Sequence, residues 1–187
     1  MLSQVWTYKF YNQLAILIFA LSLTSSAFSA EKIEWGKSLE KGLAKAKEDA
    51  KPIILDFFAD WWGACKRLDA TTFNDKKVVE VSKQFVNLKL DLDASPHNVT
   101  AYKKYIGGPG VAIPAVALVD YEGNLIAEPP LQQVFEPDSF VRIMENTLKV
   151  EAELQSLNKR IKSQPDNPQM NAELALIYLN RKAFKKG

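Results

Sequence analysis

The run Ile53-Ile54-Leu55-Asp56-Phe57-Phe58-Ala59 constrains this chain more than any other segment. It is continuously apolar with a single acid inside it. Because it does not alternate, both of its faces need cover, which is the pattern of a central strand buried on two sides. Such a strand calls for helices above and below it and so points to a layered α/β domain. The acid is the anomaly. A buried carboxylate has its pKa raised, and a nearby lysine opposes the shift.

The flanking patterns supply the other layers. Leu39, Leu43, Ala46 and Ala50 recur three or four apart between Lys37 and Ala50, a helical stripe that Pro52 ends. Trp61 to Leu68 reads as a turn into a helix. Asn74 or Asp75 can cap a further helix through Val78, Val79, Ser82 and Phe85. From Phe85 to Leu92 the chain alternates, with Val86, Leu88, Leu90 and Leu92 on one side, as a half-covered strand does. Pro96 opens a helix carrying Val99, Tyr102 and Ile106, and Gly107-Gly108-Pro109-Gly110 breaks it. Ala115 to Val119 is a second buried strand. Tyr121 to Asn124 turns the chain, and Leu125 to Ala127 returns. Pro137 suits the first position of a helix that reaches Ser156 or beyond. The order predicts an α/β domain with a central mixed sheet and helices on both faces.

The ends differ from the middle. Residues 1–30 carry one basic residue, Lys9, then an apolar run from Leu14 to Leu23 broken only by Ser22, then small residues up to Ala30. That order predicts a signal peptide cleaved near 27–30. The run is short beside the about 20 residues of a spanning helix. The alternative is an uncleaved membrane anchor. Either sends residues 31–150, the main domain, to an exported, periplasm-like compartment, where a lone cysteine is unusual. Residues 151–187 form a helical tail with the linker Ser163-Gln164-Pro165-Asp166-Asn167-Pro168. Its second helix, from Asn171, resembles the first half of a tetratricopeptide repeat through Leu174, Ala175, Tyr178 and Phe184. A repeat of this kind does not bury its apolar face alone, so the expectation is that the tail docks on its own domain, binds a partner, or belongs to a longer chain. Its net charge of +3 against −2 for residues 31–150 favours self-docking.

Composition removes several functions. With 24 Lys+Arg against 22 Asp+Glu, the chain has no bulk basic field for nucleic acid. One cysteine, Cys65, and one histidine, His97, exclude an intrachain disulfide and a Cys/His zinc cluster. A nucleophile–histidine triad would need His97, which has no motif around it and reads as solvated surface. No metal and no cofactor are expected.

Lys51 to Leu131 resembles the thioredoxin superfamily, most of all exported bacterial thioredoxin-like domains such as the C-terminal domain of transmembrane thiol:disulfide interchange proteins. The resemblance rests on Leu55-Asp56-Phe57-Phe58-Ala59-Asp60-Trp61-Trp62-Gly63-Ala64-Cys65-Lys66, on Lys89-Leu90-Asp91-Leu92-Asp93 and on Ile113-Pro114. It extends from Trp35 to about Leu148. It implies a thioredoxin-like mixed sheet, a buried acid at Asp56 with Lys89 as its basic neighbour, and a cis bond at Ile113-Pro114 that offers backbone to an extended peptide.

The family's site reads Trp-Cys-x-x-Cys-Lys. Here Trp62 stands where the nucleophilic cysteine belongs, and Cys65 stands in the resolving position. Disulfide exchange needs a thiolate to attack and a second thiol to release product, so this site cannot cycle as a dithiol. Three readings of Cys65 stay open. It is a small buried hydrophobe, or a monothiol forming mixed disulfides with cysteine-containing exported proteins or glutathione, or the link in a Cys65–Cys65 dimer. Two functions follow. One is a thiol-exchange protein reduced to Cys65, with Asp56 and Lys89 handling the proton. The other is a redox-inactive module in which Trp61 and Trp62 anchor an exported protein on the Ile113-Pro114 platform, helped by the C-terminal helix.

Overall fold

Strand β1 (Ile53–Phe58) lies inside a four-stranded sheet of order β2-β1-β3-β4. The computed structural model describes residues 31–184 apart from 109 and 111, with side chains as far as 179. The leader expected over residues 1–30 lies outside the described residues. β2 (Val86–Asp91) runs parallel to β1, whereas β3 (Ala115–Val119) is antiparallel to it and β4 (Leu125–Ala127) antiparallel to β3. This is the mixed sheet that the pattern predicts.

A parallel pair needs a crossover long enough to return the chain to the same end. That crossover is α2 (Gly63–Ala70), a short 3-10 turn at Thr72–Asn74, and α3 (Lys76–Ser82). Helix α1 (Leu39–Asp49) precedes β1, and α4 (Pro96–Tyr105) joins β2 to β3. Of the two proposed caps before α3, Asp75 is the one used: its carboxylate accepts from the Lys77 and Val78 amides. Helix α1 ends one residue before Ala50, whose φ of 52° turns the chain out of the helix. Asp120 is buried and closes the β3–β4 turn by accepting from the amides of Glu122 and Asn124.

The sheet separates two apolar layers. On one side Ile54, Val116 and Leu118 meet Leu68, Phe73, Val78, Phe140 and Met144. On the other, Ile53, Leu55, Phe57, Leu88 and Leu90 meet Ala46, Ala101, Tyr102 and Tyr105. In β2 the alternation is strict: Val86, Leu88 and Leu90 are buried, and Asn87, Lys89 and Asp91 are half-buried toward the first layer.

Several features depart from the expected pattern. Gly36 adds one parallel bridge to the outer edge of β2, its amide donating to the Asn87 carbonyl and its carbonyl accepting from the Lys89 amide. One bridge carries no periodicity, so the sequence hides it. A four-residue helix α5 (Leu131–Val134) buries Val134. Helix α6 (Pro137–Ser163) starts at Pro137 and runs beyond Ser156, as its pattern predicts, and it passes unbroken through position 150 with Leu154 and Leu157 buried beyond that point. Helix α7 (Pro168–Phe184) begins before Asn171 because the Asn167 side chain accepts from the Gln169 and Met170 amides. It packs on α6 and β4 and leaves Leu176 and Leu179 exposed. Among the described residues no helix is long and apolar enough to cross a membrane.

Helix α1 approaches β2 at Gly42, where a Cβ would lie 2.3 Å from Leu88 Cδ1 and 2.9 Å from its Cγ. Leu88 is buried and has little room to retreat. Gly42→Ala is expected to destabilise the domain by about 1–3 kcal/mol, read from the midpoint of urea unfolding. An unchanged midpoint would mean that α1 is free to move off the sheet.

Candidate functional site

The C-terminal end of β1 feeds a tight turn in which the Trp62 amide donates to the Ala59 carbonyl at 3.1 Å. Trp62 is the last extended residue, with φ −84° and ψ 118°, and its carbonyl accepts from the Cys65 and Lys66 amides as α2 begins. Helical phase then separates the two positions. Trp62 stays on the surface, 43% exposed, and Cys65 turns inward, 2% exposed. Trp61 is more open still, at 66%. The two indoles meet edge to face, with ring centres 5.4 Å apart. Trp61 Nε1 donates to Asp93 Oδ2 at 2.6 Å.

Beneath this surface lies a buried charge cluster. Asp56 and Lys89 are register partners on β1 and β2, so their side chains share a face. Asp56 is 1% exposed, and Lys89 Nζ donates to its Oδ2 at 2.7 Å. Lys89 also pairs with Asp69, four residues after Cys65 on α2. The ammonium sits over the ring of Phe58 at 4.6 Å and near those of Phe73 at 5.4 Å and Trp35 at 5.5 Å, a cation–π setting. Asp56 Oδ1 has no hydrogen-bond partner among the described residues.

The electrostatics follow from this packing. Burial pushes the Asp56 carboxyl up to about 6, against the pull of Lys89. For Lys89 burial works against the charge, but Asp56 and Asp69 together outweigh it and raise the pKa. Burial also raises the Cys65 thiol. A backbone hydrogen bond from Ala59 opposes this, the Asp56 carboxylate adds to it, and Lys89 partly offsets it. Both the burial and the Asp56 carboxylate thus favour the thiol over the thiolate at Cys65, and the thiol is the poorer nucleophile.

The Ile113-Pro114 bond is cis. Ala115 pairs with Phe57 across β1 and β3, which brings Pro114 to the end of β1 that also launches Trp61, Trp62 and Cys65. Pro114 is buried and Ile113 half-buried. His97 lies exposed at the start of α4, its amide donating to Ser95. Among the described residues no cluster of His, Cys, Asp or Glu could hold a metal ion. Sequence reading missed Asp69, Asp93 and the rings around Lys89. Asp69 left one trace, its i+4 spacing from Cys65, which puts both on one face of a helix.

A family model described as thioredoxin-like matches residues 34–120. The chain is 32% identical over 120 residues to the thiol:disulfide interchange protein DsbD of Vibrio vulnificus, covering 63% of this chain and 19% of that relative. It is 35% identical over 86 residues to the DsbD of Salmonella typhi, covering 46% and 14%. The chain thus spans less than a fifth of the length of these curated relatives. Among solved structures, a DsbH oxidoreductase superposes with a TM-score of 0.54 at 19% identity, covering 67% of this chain and 91% of that one. A thioredoxin from Thermus thermophilus gives 0.53 at 14% identity, covering 63% and 88%. The fold is thioredoxin-like, and by sequence the domain is similar to thiol-disulfide interchange proteins.

The folded Asp56 carboxyl, at about 6 against an ordinary 3.8, holds its proton more tightly than in the unfolded chain. Its contribution to stability is therefore present at acid pH and declines as pH rises through that interval. Relative to Asp56→Asn, the wild-type chain should lose roughly 2 kcal/mol between pH 4 and pH 6.5 in urea unfolding. Parallel stability curves for the two proteins would show that Asp56 titrates normally.

Proposed function

We propose that this thioredoxin-like domain binds a segment of an exported protein without a redox cycle of its own. The observation that carries this reading is the exchange of roles at the start of α2. An exposed indole, Trp62, occupies the surface position, and the thiol of Cys65 lies beneath it at 2% exposure with a raised pKa. A dithiol cycle needs two thiols, and this sequence holds one. What faces solvent is an aromatic platform, and aromatic anchors of this kind dominate binding energy at interfaces. Pro114, with Ile113, lies at the same end of the sheet and would support an extended segment. Leu176 and Leu179 on α7 would offer a second contact. Residues 1–30 would deliver the domain to the periplasm, or tether it there if uncleaved.

A second reading has one observation in its favour. Asp56 and Lys89 keep a buried acid with an unpartnered Oδ1 beside the thiol. In that reading Cys65, deprotonated toward Asp56, would attack a partner's disulfide. An S–S bond to Cys65 would form, the partner's own S–S bond would break, and its second sulfur would leave as a thiolate. A thiol from glutathione or from the partner would then be needed to release the product. The burial of Cys65 weighs against this route and also against a Cys65-linked dimer.

The rate at which iodoacetamide alkylates Cys65 separates the two. In the binding reading the folded chain should react at least about a hundredfold more slowly than the urea-unfolded chain, because reaction waits for local opening. Fast alkylation of the folded chain, with a midpoint well below the free-thiol value of about 8.5, would establish the exchange reading instead.

Trp62→Cys provides a separate check on the site. It restores a thiol at the surface position above Cys65. The variant should form an internal disulfide on oxidation and reduce insulin, with the wild-type chain at background. If it does neither, the correspondence of this site with Cys-x-x-Cys is wrong.

A further inference from the structure

The Trp61–Trp62 corner is built more rigidly than a casual surface contact requires. The Trp61 ring is tied to Asp93 through Nε1, and the Asp93 amide in turn donates to Asp91 Oδ1 at 2.9 Å. Trp62 packs edge to face against it at an interplanar angle of 80°. Two indoles held in place lose little freedom when a ligand arrives. The Trp61 N–H is already used, so this indole recognises a ligand through its π faces. Donation to a carboxylate pushes electron density into the ring and makes those faces more negative, which favours a cation.

The surrounding charge has the same sense. Asp60 and Asp93 are exposed beside the rings, and Asp91 is half-buried behind them. Lys66 and Arg67 are both exposed one turn into α2, and the Arg67 guanidinium is turned onto the Phe135 ring at 4.3 Å. With Arg67 engaged there, Asp60, Asp91 and Asp93 outnumber Lys66 around the two indoles and leave the corner acidic. Asp93 thus has two roles, holding Trp61 and offering charge to a ligand that stacks on it.

The geometry points to a cation-recognising surface: Trp61 and Trp62, with Asp60 and Asp93, take an arginine- or lysine-bearing segment of a partner protein. Arginine fits better than lysine, because its planar guanidinium stacks on an indole while its fork meets a carboxylate. This inference rests on the binding reading above and names its ligand.

The test uses the purified full chain and three fluorescein-labelled short peptides of glycine and serine. One carries two arginines, one the neutral isostere citrulline at the same places, and one glutamate. Fluorescence anisotropy should show the arginine peptide binding at least about tenfold more tightly than its citrulline twin, the glutamate peptide not binding, and the affinity falling as salt rises. Trp61→Ala should remove most of this binding. Trp61→Phe, which keeps a ring but loses the bond to Asp93, should fall between. Circular dichroism checks that both variants fold. Cys65→Ser should bind as the wild type does.

Equal affinity for arginine and citrulline peptides, lost in Trp61→Ala, would overturn the choice of a cation and leave the binding reading standing. No binding of any peptide would overturn this inference, while slow alkylation of Cys65 would still support the binding reading. Loss of binding in Cys65→Ser with Trp61→Ala unaffected would overturn both.

Discussion

Strand β1 has no free edge and no free face. β2 and β3 hydrogen-bond its two sides, and apolar layers cover it above and below. A carboxylate in that position has nowhere to meet water, so Asp56 must find its partner inside the sheet. Lys89, opposite in register, is that partner. Register and charge pairing are therefore one constraint. A slip of one residue would turn Lys89 toward the aliphatic layer and leave Asp56 without a counter-ion, and an unpaired buried charge costs several kcal/mol. The same ammonium gathers other elements. Asp69 reaches it from α2, Phe73 from the 3-10 turn and Trp35 from the segment that bridges β2 at Gly36. One half-buried ammonium thus links two strands, a helix, a turn and the segment before α1.

The site inherits its geometry from that arrangement. Because β1 is held in place, the turn after it and the first residues of α2 are held as well. A spacing of three residues at a helix start sends one side chain outward and the next inward. Where both are cysteines, such spacing gives a reactive thiol above a resolving one. Here it gives an indole above a thiol. The inward position is desolvated and lies near Asp56, and both effects favour the protonated thiol. At this end the domain turns Trp61 and Trp62 to solvent and keeps the Cys65 sulfur beneath them.

Much of this was legible in the sequence. The apolar run at 53–59 gave away a central strand, the alternation at 85–92 a half-covered one, and the Asn74-Asp75 pair and Pro96 the starts of two helices. These signals are local, because periodicity and capping involve residues a few positions apart. The contacts that were missed are not local. Asp69 meets Lys89 twenty residues on, and Trp61 meets Asp93 thirty-two residues on. Helix α5 is too short for its four residues to show a period.

The sequence by itself determined the α/β class, the central strand with its acid, and the presence of one thiol three residues after an indole. Those follow from residue identity and spacing, which no packing can alter. The tertiary structure alone decided that Cys65 is buried with its thiol pKa pushed up, that Lys89 is shared between two carboxylates inside an aromatic setting, and that Trp61 is pinned by Asp93. Burial and pairing are properties of what arrives from elsewhere in the chain. Desolvation and Coulomb interactions depend on those distances in space, and separation along the sequence does not report them.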